Sequence, residues 1–328
     1  MSKTPVSDQV GAVREGCGLL RLESRALFSL EGADRLTFLH GQCTNKVKDL
    51  SPGEGRTAFV LDNRGHNHAL IRYLIEEDRI LLDTELEAGP SLEQRLSKYM
   101  VIEDVSFRSM DDAFELLLLA GPEARRILIE AVPDLDPPTT EGSFARVDSL
   151  LAVTDRETGE EGFVLWARPA DRTSLWESLT AAGAVPISTE AYDILRTEAG
   201  RPWRGRDFGE DCLPEETGQV ERTVSFSKGC YLGQEPVAMQ HYRGKPRKMI
   251  RGLLFDAPGV RSGAEVLIGD SAAGTIGTVH ESPTLERTIA LALLKGNPEP
   301  GTQVRVTTEK GQPAVPGTVT ELPFVDLR

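Results

Sequence analysis

The run Lys228-Gly229-Cys230-Tyr231-Leu232-Gly233-Gln234-Glu235 sets a thiol between a cation and a carboxylate, with two glycines that let the backbone approach a ligand closely or take positive φ. Cys230 lies two residues after Lys228 and shortly before Pro236, a residue suited to a first helical turn. A neighbouring ammonium and a helix N-terminus both favour the thiolate over a free thiol of pKa about 8.5. Such a thiolate can act as a nucleophile, a redox-sensitive thiol, or a metal or cluster contact. A cysteine hydrolase also needs a base beside the thiol; the motif holds no histidine, and only His241 is placed to approach through the fold. The plainer alternative is a strand-to-helix turn in which Cys230 is a small buried hydrophobe.

Glu198 is a second candidate. It falls in the last turn of a helix ending at Gly200, where the partial negative charge of the terminus disfavours a carboxylate by up to about 1 kcal/mol. A partner is therefore required. Either an arginine nearby (Arg196, Arg201 or Arg204) pairs with it, or it accepts paired N–H donors from a neutral or cationic heterocycle. A third candidate is the cluster Arg243, Lys245, Arg247, Lys248 and Arg251, five cations in nine residues with no acid among them. It reads as a solvated hinge, as an anion site for a ligand's carboxylates such as a polyglutamate tail, or, with less support, as an RNA contact.

The chain around these residues is acidic: a net charge of −14 over 328 residues repels phosphate backbones and anionic lipid, so nucleic acid and membrane surfaces are disfavoured as partners. Met1 to Gly16 is polar and lacks the apolar core of a secretory signal. The longest apolar runs, near Phe114 to Ala120 and Ile289 to Leu294, are about a third of a bilayer span. Cys17, Cys43, Cys212 and Cys230 are far apart and form no Cys-x-x-Cys pair, which points to a reducing cytoplasm and away from a zinc knuckle. His66 and His68 have no third ligand nearby, so no metal site is assigned.

The positioning elements are legible in part. Ser91 with Gln94 suggests a capping box for a helix carrying Leu92, Leu96 and Tyr99. Asp171 starts a helix stopped by Gly183, and Ser188 or Thr189 starts one whose Tyr192, Leu195 and Ala199 share a stripe. Strand-like segments (Thr57 to Leu61, Ala69 to Ile75, Phe163 to Ala167) are interspersed without a βαβ rhythm, which favours an α+β arrangement with antiparallel sheets. After Tyr242 six short strand-like runs, 250–255, 265–268, 274–280, 288–294, 303–308 and 317–322, read as a separate small β-barrel or sandwich. The expected division is an α+β region over 1–242 and a barrel over 243–328.

Taken whole, Lys228 to Glu235 resembles the signature of the folate-binding YgfZ family, relatives of the glycine-cleavage T-protein that act in iron–sulfur cluster assembly or repair. The segments Gly32-Ala33-Asp34, Phe38 to Asn45, Leu195 to Gly200 with Gly205 and Asp207, Ser282 to Leu285, and Leu322-Pro323-Phe324 resemble further family motifs. The likeness spans nearly the whole chain. It implies an aminomethyltransferase-like ring of α+β subdomains around a tetrahydrofolate pocket, followed by a β-barrel. It further implies that Glu198 contacts the pterin, that Thr44 and Asn45 lie near the pocket, and that Cys230 is the functional cysteine, flanked by Lys228 and Glu235. Tyr231, Gln234 and Arg243 join the expected cofactor-binding set. The implied partners are folate and iron–sulfur proteins or their assembly machinery; direct binding of a cluster is left open.

Two departures bear on activity. The family often has Val-Ala-Arg after the signature glutamate, where this chain has Val237-Ala238-Met239, so any role of that arginine is carried here only if Arg243 substitutes for it. The T-protein has an aspartate pair where His68 and Ala69 stand here, and histidine supplies no fixed negative charge near neutral pH. The expected function is a tetrahydrofolate-binding factor for iron–sulfur protein maturation that is not an active aminomethyltransferase. A folate-dependent aminomethyl or methyl transferase and an RNA-binding module are the alternatives.

Overall fold

The computed structural model describes residues 4–244, 246–307 and 314–326. Two antiparallel-rich sheets and a closed barrel make up its β structure. The first sheet runs β3 (Gly55–Leu61), β4 (Asn67–Ile75), β5 (Arg79–Glu85), β2 (Arg25–Glu31), β6 (Ser106–Ser109), with every pairing antiparallel. Helices α2 (Arg35–Gln42) and α3 (Gly89–Ser97) contribute Phe38, Leu39, Leu92 and Leu96 to the same core as Ala69, Ile71 and Tyr73 of β4. The alternation of a strand sends Leu70 and Arg72 to the opposite face. A buried arginine in the middle of an apolar strand is thus explained by what lies on that other side.

The second sheet has the order β11 (Val185–Pro186), β1 (Gly18–Arg21), β7 (Glu115–Ala120), β10 (Gly162–Ala167), β9 (Leu150–Asp155), β8 (Phe144–Val147). β7 is a continuous apolar run because both of its faces are covered. Leu117 and Leu119 share a core with α4 (Ala124–Ala131) and α5 (Arg172–Ala181), while Leu116 and Leu118 share one with α1 (Val6–Glu15) and α6 (Thr189–Glu198). Helix α6 begins where the sequence suggests: the Ser188 side chain accepts the Ala191 N–H at 3.3 Å. Two short elements follow, α7 (Val220–Thr223) and α8 (Gln234–Arg243).

The C-terminal barrel closes in the order β12 (Lys248–Phe255), β15 (Arg287–Lys295), β14 (Ser271–Ser282), β13 (Glu265–Ile268), β16 (Gln303–Thr307), β17 (Val315–Thr320). Its six strands correspond to the six runs in the sequence; Thr308 lies outside the described residues. The expected break after Tyr242 meets the penultimate residue of α8, and the barrel itself starts at Lys248.

One helix start differs from expectation. Helix α3 begins at Gly89, its N-cap Ala88 offers no side-chain cap, and a 3-10 turn, Leu86–Ala88, leads directly into it with Pro90 in the first turn. Ser91 is already inside the helix, and its hydroxyl meets His68 Nδ1 at 3.2 Å instead.

Candidate functional site

A cavity of about 350 Å³ lies between the two sheets and is bordered by α6 and α7. Its apolar lining includes Leu22, Leu70, Leu118, Val164 and Val224, and the remainder is charged to an unusual degree. Arg72 of β4 donates from Nε to Asp83 Oδ2 at 2.7 Å and from Nη1 to Asp155 Oδ2 at 2.9 Å. Arg25 of β2 donates to Asp83 Oδ1 at 2.7 Å. Across the cavity Arg222 of α7 donates to Glu157 Oε1 at 2.6 Å. Glu85, Tyr192 and Arg201 are also on the polar border, and Arg201 Nε is buried with no hydrogen-bond partner. Burial raises the Glu85 carboxyl above its ordinary range despite the attraction of Arg25.

Of the residues expected from the sequence to bind a cofactor, Asn45 is on this lining, together with Arg196 and Arg201, which the sequence suggests only as partners of Glu198. The Asn45 amide donates to Thr57 O at 3.0 Å and Arg222 O at 3.2 Å, joining β3 to α7. Thr44 stands behind it, fully buried, donating to Thr223 O at 2.6 Å and accepting from the Phe59 N–H at 2.9 Å. Both depend on how α2 ends, and that end is fixed by Lys228.

The Lys228 ammonium is buried and donates to the carbonyls of His40, Cys43 and Asn45, each at 2.7 Å. These are carbonyls at and beyond the C-terminus of α2, where a cation is favoured. The expectation that Lys228 acts on Cys230 is corrected accordingly: its charge is committed to the α2 end. Tyr231 packs 5.0 Å from the same ammonium, and Gln234 Oε1 accepts the Tyr231 N–H at 3.4 Å. Neither side chain borders the cavity. Gly233 caps α8 with φ 81°, and a Cβ there would sit 2.4 Å from the Asp62 carbonyl in the β3–β4 turn, so only glycine fits. Most of the motif is therefore a clasp fastening α8 to α2 and to the β3–β4 turn. Cys230 and Glu235 are the exposed side chains left over, and among the described residues Cys230 has no hydrogen-bond partner. Lys228→Met should lower stability by about 3 kcal/mol in urea unfolding, because three buried carbonyls lose a charged donor; an unchanged midpoint would refute the clasp.

Glu198 is not on the lining of this cavity. Its carboxylate is fully buried and accepts from Ser282 Oγ at 2.6 Å, Thr284 Oγ1 at 2.9 Å and Arg14 Nη2 at 2.6 Å. The charge at the helix end does find an arginine, but one on α1 rather than Arg196, Arg201 or Arg204. Arg243 is exposed at the end of α8, off the lining. The basic cluster is dispersed: Lys248 bonds Asp211 at 2.6 Å, Arg251 bonds Asn297 at 2.5 Å, and Lys245 lies outside the described residues.

His68 is half-buried beside Ser91, and burial lowers its pKa below the ordinary histidine value, leaving a neutral ring at pH 7. Ala69 points into the α2/α3 core. Asp62 holds the β3–β4 turn, accepting the Arg64 and His66 N–H groups. The cavity's acids, Glu85, Glu141, Asp155, Glu157 and Glu221, were not singled out in the sequence. A charged residue ending or interrupting a buried apolar strand, as in Leu-Ile-Arg72-Tyr-Leu and Leu-Ala-Val-Thr-Asp155, was the available signal. Among the described residues no group of three histidine, cysteine or acidic side chains is placed to hold a metal ion, and no helix is long and apolar enough to cross a membrane.

Comparison with known proteins assigns residues 2–228 to the GCVT N-terminal domain and residues 248–326 to the glycine cleavage T-protein C-terminal barrel domain. The chain is 30% identical to a protein named aminomethyltransferase from Halalkalibacterium halodurans, over 94% of this chain and 87% of that one. It is also 30% identical to one of the same name from Rubrobacter xylanophilus, over 95% and 84%. The crystal structure of glycine cleavage system aminomethyltransferase T from Bartonella henselae matches with a TM-score of 0.88 at 21% identity, over 98% of this chain and 90% of that one, a likeness of fold.

Proposed function

Because the chain belongs to the glycine cleavage T-protein family, with that family's α+β ring and C-terminal barrel, we propose that its central cavity binds a reduced folate and that it serves iron–sulfur enzymes in the manner of the YgfZ branch. The cavity suits a reduced pterin: apolar side chains for a flat ring, buried carboxylates for ring N–H groups, and an unpartnered Arg201 Nε. Asn45, Glu85, Asp155, Tyr192, Arg201 and Arg222 are the residues that would hold it. When bound, the folate supplies nitrogens able to carry a one-carbon unit.

The observation that carries the iron–sulfur reading is Cys230. Its motif neighbours are occupied by the clasp, whereas the thiol is exposed and has no structural task. Deleting the gene should lower the activity of cluster-dependent enzymes, with wild type restoring it and Cys230→Ala failing to do so. Full complementation by Cys230→Ala would reject this reading.

A second reading, a folate-dependent aminomethyltransferase, is favoured by the names of the relatives. Against it stand the neutral His68 and the core-facing Ala69 where the T-protein resemblance places carboxylates. Purified protein given tetrahydrofolate and an aminomethyl-loaded carrier is expected to release no ammonia at an enzymatic rate, since a positioned acid or base contributes about 10²- to 10⁴-fold. Robust turnover would move the protein into the transferase class.

A further inference from the structure

The guanidinium groups beside the cavity are shared unevenly among its carboxylates. Arg25 and Arg72 bind Asp83 from both sides, so although burial opposes its charge the two cations keep it well below the ordinary carboxylate range. Asp155 shares one of those cations: Arg72 Nη1 reaches its Oδ2, and its Oδ1 accepts the Glu157 N–H at 2.9 Å. Other elements bring both signs of charge to Asp155: Arg222 of α7 attracts it, while two acids repel it. Glu157, in the β9–β10 turn, stays ionised because Arg222 and Arg201 outweigh its burial, and Glu141 approaches from the segment before β8. Tyr192 of α6 is a neutral phenol. Burial, with repulsion from Glu157 and Glu141, outweighs the attraction of Arg72, and Asp155 holds its proton more tightly than an ordinary aspartic acid. Eight per cent of its side-chain surface remains open, and it borders the cavity.

We propose that Asp155 is the proton-exchanging residue of this cavity, sharing one proton with a basic nitrogen of the heterocycle bound there. In the transfer the carboxyl O–H bond breaks and an N–H bond forms, leaving a carboxylate against Arg72 and a cationic nitrogen on the ligand; the reverse step restores the acid. The inference rests on the reading of the cavity as the folate site, and gives that site an acid on β9 in place of one on the β3–β4 hairpin.

The test is the affinity for tetrahydrofolate from about pH 6 to 8, measured by calorimetry in buffers of differing ionisation enthalpy. Burial and its acidic neighbours push the Asp155 carboxyl up to about 6, so above that pH the ligand-free residue is mostly ionised and a complex containing the shared proton must take it from the buffer; affinity then weakens as pH rises, by up to about tenfold per unit. Wild type should show this and Asp155→Asn should bind with little pH dependence. Retention of the wild-type slope in Asp155→Asn, or its loss in Glu85→Gln instead, overturns the proposal. Should Asp155→Asn fail to fold, carboxyl carbon NMR of the ligand-free wild type decides, with Asp155→Glu giving the assignment. A midpoint above those of exposed aspartates supports the assignment, and an ordinary one overturns it. If no variant binds tetrahydrofolate, the folate reading falls by itself, and the NMR titration still decides whether Asp155 retains its proton.

Discussion

Glu198→Gln is expected to destabilise the folded protein by about 3–5 kcal/mol, the range for removing one partner from a buried ion pair. Arg14 binds this carboxylate at 2.6 Å, and its other terminal nitrogen binds Glu160 at 2.9 Å and Thr158 O at 3.2 Å. The Ser282 and Thr284 hydroxyls come from the barrel, and the Glu198 carbonyl accepts the Phe324 N–H at 2.9 Å. One carboxylate thus joins α1, α6, the β9–β10 turn and the barrel. Glutamine keeps the volume but presents a neutral amide to a largely enclosed guanidinium that is left with Glu160 alone to balance it, so the cost includes lost charge pairing as well as a weakened hydrogen bond. Urea unfolding should show a lower midpoint with an unchanged m-value. Folate affinity of the folded fraction should stay near wild type, because Glu198 is absent from the cavity lining. A mutant of wild-type stability that binds folate tenfold more weakly would return Glu198 to the site.

That residue shows what a sequence withholds. The local argument, that an acid at a helix C-terminus needs a partner, was sufficient to mark Glu198. The partner is 184 residues away in the chain, on a helix whose position depends on the whole ring. Local signals located the elements well: the Ser188 cap, the apolar runs and the six barrel strands all depend on near neighbours and alternation. The cavity does not. Arg25, Arg72, Asp155 and Arg222 come from four elements, and each is unremarkable in its own segment until two sheets bring them together. The motif around Cys230 was legible as special but misassigned in its parts, since charge beside a thiol in sequence says nothing of which way an ammonium points. Lys228 turns to the α2 carbonyls because they are unsatisfied backbone acceptors in a buried place, where an ammonium has most to gain.

The same separation of roles predicts the largest kinetic contrast in the molecule. With a limiting alkylating reagent at about pH 8, Cys230 should be labelled at least 10³-fold faster than Cys17, Cys43 or Cys212, on the order expected when the others need an opening of about 4 kcal/mol before reagent can enter. Cys230 is exposed and the other three are buried. Chemistry adds to access: burial pushes the Cys17 thiol up to about 12 and raises Cys43 and Cys212 as well, so little thiolate is present at those sites. Mass mapping of the first label checks the order, and labelling of Cys17, Cys43 or Cys212 at a comparable rate would contradict it. Because the Cys230 side chain packs against nothing that the clasp requires, Cys230→Ala should change stability by no more than about 0.5 kcal/mol. A variant that folds as wild type does yet fails to restore cluster-dependent enzymes would then report on the thiol itself, whereas the same failure in Lys228→Met would report only on the clasp.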